Sequence, residues 1–486
     1  MKTLIVDVNK EGFEYDIHSL IKAFFPECDV KVMVNDSSLS SDDGLPDIDI
    51  LFEDNTVYMA VHTEGEDKVK KADISGFDRS GIKNILKKLI YISLSEYLKV
   101  SLPWGTLTGI RPTKIPMTLL CEGADITEIE EYMKDVYLLS DEKTALSIDI
   151  AQRERELLKK IHYVDGYSVY IGIPFCPTTC LYCSFTSFPI AAWRKRVDEY
   201  LAALEREIEF TADFYKDKFL DTIYIGGGTP TTLSAEELER LLSKINATFD
   251  MSHVLEFTVE AGRADSITIE KLKVLKAAGV TRISVNPQTM NQKTLDFIGR
   301  RHTVEDVLRA YKDARDVGFD NINMDIILGL PGENEEEVSH TIDEIMKLKP
   351  ESLTVHSLAI KRASRLAEWI RENGMCALNN TDKTMKIAAK GAEDMGMKPY
   401  YLYRQKNMSG NFENVGYSIP GKEGIYNILI MEELQTIVAL GAGSVTKRVY
   451  GDGRIERCDN VKDVGLYIEK IDEMIDRKRK LLGDDV

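Results

Sequence analysis

Cysteine is not enriched in this chain: seven residues in 486 is ordinary usage. A chain this long, opening on Met1-Lys-Thr-Leu-Ile-Val-Asp-Val, has too short an apolar start for a secretory signal and does not read as a disulfide framework. Long apolar runs are also missing, and no segment reaches the ~20 residues that a membrane-spanning helix needs. Basic residues are in deficit, with 62 Lys and Arg against 80 Asp and Glu and a formal net charge of −18. That balance argues against broad binding to nucleic acid or to an anionic membrane, both of which favour a basic surface, and leaves room only for a local basic pocket. There is no low-complexity tract and no repeat of fixed period. A cytoplasmic protein with no membrane span and no nucleic-acid partner is expected.

The composition that remains, 43% hydrophobic, suits a globular chain with a large core. Its length suggests about two to four domains. Residues 1–165 read as a separate α+β domain of unknown role. Leu4–Val8 and Val30–Val34 have strand character, and Ile48–Phe52 and Thr56–His62 form a predicted hairpin around Glu53-Asp54-Asn55. Gly81–Lys99 carries a helical apolar face through Ile82, Ile85, Leu86, Leu89, Ile92 and Leu98. Two more helices are expected between Asp125 and Ile161. The segment Pro103-Trp-Gly-Thr-Leu-Thr-Gly-Ile-Arg-Pro-Thr-Lys114 reads as a Gly/Pro connection anchored by Trp104.

From Ser168 the pattern changes to alternating strands and helices. Predicted strands are Ser168–Ile173, Thr222–Ile225, Glu256–Glu260, Arg282–Asn286, Ile322–Ile327 and Ser352–His356. Helical stretches fall between them, at Val197–Asp213, Ala235–Phe249, Ile267–Ala278, Val304–Val317 and Glu335–Leu348. Such alternation predicts parallel strands flanked by helices, an α/β fold. Six units are too few for a closed eight-stranded barrel. The division drawn is residues 166–364 for this part and residues 365–486 for a C-terminal α+β extension.

Three of the seven cysteines crowd into Ile173-Pro-Phe-Cys-Pro-Thr-Thr-Cys-Leu-Tyr-Cys-Ser184, spaced CxxxCxxC at Cys176, Cys180 and Cys183. Electron-transfer iron–sulfur clusters take four cysteines. Three thiolates leave one iron of a [4Fe–4S] cluster open for a substrate or cofactor. A structural zinc site is the rival reading, but it normally closes with four ligands, and the nearest histidine is His162, outside any close Cys/His pair. Other polar or glycine motifs sit where predicted strands end, which is where barrels gather catalytic groups. Gly226-Gly-Gly-Thr-Pro230 follows the second strand, Glu260 ends the third, Gln288 follows the fourth and Asp325 lies in the fifth. Glycine there lets backbone approach a ligand closely, although a triple glycine is often only a turn.

These motifs resemble the radical S-adenosylmethionine (SAM) superfamily. Within it, the Tyr-x-x-Ile-Pro-Phe-Cys lead-in and the Leu-Tyr-Cys ending resemble the oxygen-independent coproporphyrinogen III dehydrogenase family, over roughly Ser168–Val449. The resemblance implies a partial (β/α)6 radical SAM barrel, with Cys176, Cys180 and Cys183 as ligands of the [4Fe–4S] cluster. It also implies that Gly227, Gly228 and Thr229 pack on the amino-acid end of SAM, and that Glu260, Gln288, Arg300 and Asp325 contact SAM. Tyr170 and Ala359 are weaker carry-overs, equally suited to core packing, and Tyr182 is placed to pack on the adenine. The implied chemistry is cleavage of SAM by one electron, then removal of hydrogen from a propionate side chain, converting coproporphyrinogen III to protoporphyrinogen IX in haem biosynthesis. Implied partners are the tetrapyrrole and an electron donor of reductase, flavodoxin or ferredoxin type.

Two positions depart from the dehydrogenase pattern. Phe185 stands where those enzymes carry a further cysteine, and Gly172 where they carry histidine. Phe185 resembles instead the haem-chaperone relatives, yet their His-Asn-x-x-Tyr-Trp motif is here Glu413-Asn-Val-Gly-Tyr-Ser418. Carboxylate substitutes poorly for an axial imidazole. With its long N-terminal region, the chain looks closest to the HemZ-type branch, commonly assigned as coproporphyrinogen dehydrogenases. A haem-binding or haem-transfer protein that keeps the cluster, and a radical SAM enzyme with another substrate, are the alternatives. Cys28, Cys121, Cys376 and Cys458 are expected to be dispensable for the cluster.

Overall fold

The computed structural model describes residues 2–36, 39–62, 67–184, 187–360, 364–374, 378–405 and 412–483. Phe185 and Cys376, both named above, lie outside the described residues. The chain divides between Gln152 and Arg153 into two compact units, with Arg404 and Gln405 grouped with the first.

In the first unit, alternation of apolar and polar residues makes the strands. β1 (Thr3–Val8), β2 (Asp29–Val34), β3 (Asp47–Glu53), β4 (Thr56–His62) and β5 (Lys68–Asp73) form one sheet in the order β2-β1-β3-β4-β5. β1 runs parallel to β2 and β3, while β3, β4 and β5 form an antiparallel meander that includes the expected hairpin. Val57, Met59 and Val61 of β4 all point into the core, as period-two burial requires. Helix Glu14–Phe24 and helix Arg79–Leu98 pack their apolar faces against this core through Ile17, Leu20, Leu86, Ile90 and Leu94. The long helix begins where the Asp78 side chain accepts from the Gly81 N–H, and stops where Lys99 turns left-handed at φ 55°. Trp104 is buried. The expected pair of helices spans Ile126–Tyr137 and Asp141–Leu158.

The second unit is built on an eleven-stranded sheet. Its strands are β6 (Gly166–Ile173), β9 (Phe219–Gly227), β10 (Glu256–Gly262), β11 (Arg282–Val285), β12 (Ile322–Leu328), β13 (Ser352–Ser357), β14 (Lys398–Tyr403), β15 (Asn414–Ser418), β16 (Thr436–Leu440), β17 (Val445–Val449) and β18 (Ile455–Asp459). Two short strands, β7 (Phe175–Cys176) and β8 (Phe188–Pro189), pair separately. The sheet order is β14-β15-β13-β12-β11-β10-β9-β6-β16-β17-β18, and it does not close. The six strands from β6 to β13 are parallel neighbours, joined by helices that include Val197–Phe214, Ala235–Thr248, Ile269–Ala277, Val304–Val317 and Glu335–Leu348. These are the parallel strands flanked by helices that the alternation predicted, in the open, partial-barrel form that the family resemblance implied.

One parallel strand was not foreseen. β16 pairs with β6 through Thr436↔Tyr167 to Leu440↔Ile171. Thr436-Ile-Val-Ala-Leu has an apolar run of only four residues, too short for periodicity to tell a strand from a buried helix segment. Strands from beyond Arg365 therefore extend both edges of the same sheet, β15 antiparallel to β13 and β16 parallel to β6.

The two faces of the parallel strands differ in chemistry. One face carries Val169, Ile171, Ile173, Ile223, Ile225, Phe257, Val259, Ile283, Met324 and Val355, all buried. The opposite face carries Tyr170, Tyr224, Thr258, Arg282, Asp325, Thr354 and His356. Register puts Tyr170 beside Tyr224, Tyr224 beside Thr258 and Thr258 beside Arg282. A polar layer so enclosed must satisfy itself or a ligand.

Candidate functional site

The cysteine loop leaves the end of β6. Pairing of Phe175 with Phe188 across β7 and β8 clasps its two ends, and the Phe188 N–H donates to Pro174 O at 2.8 Å. Inside the loop, the Leu181 N–H donates to Ile298 O at 2.9 Å. Leu181 and Tyr182 pack on a core of Leu295, Ile298, Leu330 and Leu358. Cys180 is buried, while Cys176 and Cys183 are half-buried and reachable from solvent. None of the three is in a disulfide, nor are Cys28, Cys121 and Cys458. Cys176 Sγ stands 3.5 Å from the Thr229 hydroxyl. Burial pushes the Cys176 thiol above its ordinary value, and the Thr229 and Ser187 hydroxyls pull it back. Among the described residues no three His, Cys, Asp or Glu side chains converge on a single-ion site. Thiolates that each bind a different iron of a cluster stand farther apart than the ligands of one ion.

The glycine run at the end of β9 is there because the chain comes too close for side chains. Gly227 has φ 106°, and a Cβ on Gly228 would lie 2.5 Å from Phe175 O. The Gly228 N–H donates to Ile173 O at 2.8 Å and the Thr229 N–H to Phe175 O at 2.7 Å, so the run is laced to the start of the cysteine loop. A Cβ on Gly226 would sit 3.0 Å from the Glu260 carboxyl carbon.

Glu260, on β10, accepts a 2.5 Å hydrogen bond from the Tyr224 hydroxyl. Burial raises its carboxyl to about 7, with the Tyr224 hydroxyl opposing and the Asp325 charge adding to the rise. The Tyr224 ring stacks on Tyr426 at 4.4 Å, and Tyr170 lies 6.2 Å from each. Asp325, in β12, accepts from Asn323 Nδ2 at 2.6 Å and lies 3.9 Å from His356 Nε2. Burial alone would raise Asp325, but the neighbouring His356 imidazole, the Asn323 amide and the Thr354 hydroxyl outweigh it and hold the carboxyl below its ordinary value.

Gln288 has φ 67°, a left-handed conformation uncommon outside glycine and the kind of strain that clusters at functional sites. It bridges to β12: its N–H donates to Asp325 O, and its carbonyl accepts from the Ile327 N–H, each at 2.9 Å. Arg300 is buried and Arg301 exposed, so the two adjacent charges are not equivalent. The Arg300 guanidinium donates to Asn286 O, and the neighbouring Tyr182 hydroxyl and Cys180 thiol favour its charged form. Gln288 Oε1, Asn286 Oδ1 and Arg300 Nε are buried without a protein partner. Such groups are costly to leave empty-handed and suit a polar ligand.

The structure thus joins Cys176 to Thr229, Arg300 to Asn286, Gln288 to Asp325, and Glu260 to Tyr224, with Tyr182 and Cys180 as charge neighbours of Arg300. Ala359 stands half-exposed, two residues past the end of β13. Sequence reasoning missed Tyr224, Tyr426, His356 and Arg263. Tyr224 and His356 occupy inward positions of strands, which alternation marks. Arg263 and Tyr426 reach the site only through the tertiary fold. The cluster and SAM expected from the sequence fit this donor set: three thiols in one loop, a glycine cradle with no room for Cβ, and unpartnered polar atoms beside it.

Residues 170–345 match the profile of the Radical SAM superfamily. Along 406 residues the chain is 43% identical to the oxygen-independent coproporphyrinogen-III oxidase-like protein HemZ of Bacillus subtilis, covering 82% of this chain and 81% of that protein. It is 44% identical over 195 residues to the heme chaperone HemW of the same organism, covering 40% of this chain and 51% of HemW. It is 31% identical over 320 residues to the oxygen-independent coproporphyrinogen III oxidase of Salmonella typhimurium, covering 63% and 65%. Among solved structures, the coproporphyrinogen III oxidase HemN of Escherichia coli shares the fold, with TM-score 0.52 and 20% identity over 66% of this chain and 73% of that one.

Proposed function

The chain belongs to the radical SAM superfamily, in the oxygen-independent coproporphyrinogen-III oxidase-like family, and from that premise we propose that it oxidatively decarboxylates propionate side chains of coproporphyrinogen III. Members of the superfamily use a [4Fe–4S] cluster and SAM. Bound together, these supply a 5′-deoxyadenosyl radical, which takes a hydrogen atom from substrate. The protein's part is to bind, orient and exclude solvent.

Cys176, Cys180 and Cys183 hold three irons and leave the fourth open. Gly227 and Gly228 offer backbone to the methionyl end of SAM, with Thr229 beside them. Glu260 binds the ammonium as carboxylate, and Arg300 pairs with the SAM carboxylate. Asp325 accepts from a ribose hydroxyl, and Gln288 supplies its unpartnered carboxamide oxygen. Tyr182 and Ala359 flank the adenine, and Tyr170 supports the cradle from below Gly227. On the substrate, a –CH2–CH2–CO2⁻ group loses one hydrogen atom to that radical, carbon dioxide, and one electron to a separate one-electron acceptor, and becomes a vinyl group. The observation that carries the reading is the three-cysteine loop standing at the strand ends, laced to the glycine cradle.

Anaerobic enzyme with reductant, SAM and coproporphyrinogen III tests it, with 5′-deoxyadenosine and protoporphyrinogen IX followed together. Both products are expected to rise. Deoxyadenosine without porphyrin product would move the enzyme to another substrate. Neither product, with the cluster intact and haem bound stoichiometrically, would replace the enzyme reading by a haem-transfer one.

A further inference from the structure

Beside the cysteine loop lies a guanidinium that the proposed ligand set does not use. Arg263 follows β10 and is 3% exposed. Its Nη1 donates to the Thr178 carbonyl at 3.1 Å and the Thr178 hydroxyl at 2.8 Å, and faces Cys180 Sγ at 3.9 Å. The opposite edge of the fork is held by Asp265, with Nε to Oδ1 at 3.0 Å and Nη2 to Oδ2 at 2.6 Å. Bidentate pairing fixes the plane of a guanidinium, so Nη1 is aimed at the loop rather than sampling it. The contact spans 83 residues of sequence and is made only by the folded sheet.

A fixed positive charge and an N–H donor beside a ligand sulfur favour the more negative, reduced state of an iron–sulfur cluster. Hydrogen bonds to sulfur and local charge are among the groups that set cluster potentials. Asp265 opposes the effect from the far edge of the fork. We propose that Arg263 is a positioning residue for the cluster, clamping the loop at Thr178 and raising the cluster's reduction potential through Cys180. This rests on the reading that Cys176, Cys180 and Cys183 hold the cluster. Lysine cannot replace it, because a single ammonium does not serve Asp265 bidentately and Thr178 and Cys180 together.

The test is an anaerobic redox titration of the full-length holoprotein followed by electron paramagnetic resonance, after iron and sulfide have been measured. Arg263→Gln is expected to make the reduced-to-oxidised ratio about tenfold smaller at a fixed potential, about 59 mV for one electron. Asp265→Asn is expected to shift the potential the opposite way, which a merely structural clamp would not do. If Arg263→Gln fails to hold iron, Asp265→Asn decides: an upward shift supports the proposal, and no shift or a downward one overturns it. Wild-type potentials in both variants, with full iron content, overturn it as well. The underlying reading fails separately, if Cys180→Ala keeps a full complement of iron, and the proposal then falls with it.

Discussion

Removing the Tyr224 hydroxyl should shift the pH dependence of SAM binding by a calculable amount. Glu260 carries a raised carboxyl value of about 7 because it is buried, and the 2.5 Å bond from Tyr224 opposes that rise. In the proposed site the SAM ammonium pairs with the Glu260 carboxylate, so affinity should climb as pH passes 7 and level off about one unit above. Hydrogen bonds to charged groups contribute about 1.5–3 kcal/mol, and a pKa unit is about 1.4 kcal/mol. Tyr224→Phe keeps the ring stack on Tyr426 but loses the bond, so the Glu260 midpoint should rise by about one to two units. At pH 7 the variant should bind SAM about 5–50-fold more weakly than wild type, with the gap closing above pH 9. The folding linkage has a definite sign. A carboxyl raised on folding contributes stability below its unfolded value of 4.5 that is lost as pH rises through about 7, so the variant should be least affected near pH 4. Equilibrium dialysis of SAM against anaerobic holoprotein from pH 6 to 9 measures this. A flat profile, or one identical in Tyr224→Phe, would refute the reasoning.

Other outcomes follow from the same geometry. Alanine at Cys176, Cys180 or Cys183 should abolish cluster binding, while alanine at Cys28, Cys121, Cys376 or Cys458 should leave iron and sulfide content unchanged. Gly228→Ala places a Cβ 2.5 Å from the Phe175 carbonyl oxygen, backbone that cannot swing away, and should cost about 1–3 kcal/mol in a denaturant titration and weaken SAM binding. Lys478 and Glu207 are a fully buried pair at 2.5 Å, so Lys478→Ala should destabilise by about 3–5 kcal/mol, read as a lower denaturant midpoint.

Much of the fold could be read from the sequence because two signals coincide in this chain. The parallel strands alternate with amphipathic helices, and three of the five connecting helices named above start with capping boxes. Thr303 with Asp306, and Asn334 with Glu337, begin the helices Val304–Val317 and Glu335–Leu348 at the expected residues. Where such signals are absent, elements went unseen. Helix Glu14–Phe24 begins at Phe13, which makes no side-chain cap. β5 is Lys68-Val-Lys-Lys-Ala-Asp73, a charged edge strand that looks like a loop.

The candidate site divides the same way. Cysteine spacing and strand-end placement brought forward the loop, the glycine run, Glu260, Gln288 and Asp325. Arg263 was invisible because its partners, Thr178 and Cys180, come from a distant loop. Tyr426 reaches the barrel face from the helix Ile425–Glu432, which follows a stretch with no barrel periodicity. Of the adjacent Arg300 and Arg301, only the family resemblance singled out Arg300 in the sequence, and the fold buries Arg300 while leaving Arg301 exposed.

The most direct test of the central claim labels the hydrogen that must be removed. Coproporphyrinogen III deuterated at the propionate carbon next to the ring, incubated anaerobically with holoprotein, reductant and SAM, should yield 5′-deoxyadenosine carrying one deuterium for each vinyl group formed. Deoxyadenosine without deuterium, or vinyl product without labelled deoxyadenosine, would contradict hydrogen abstraction from this substrate.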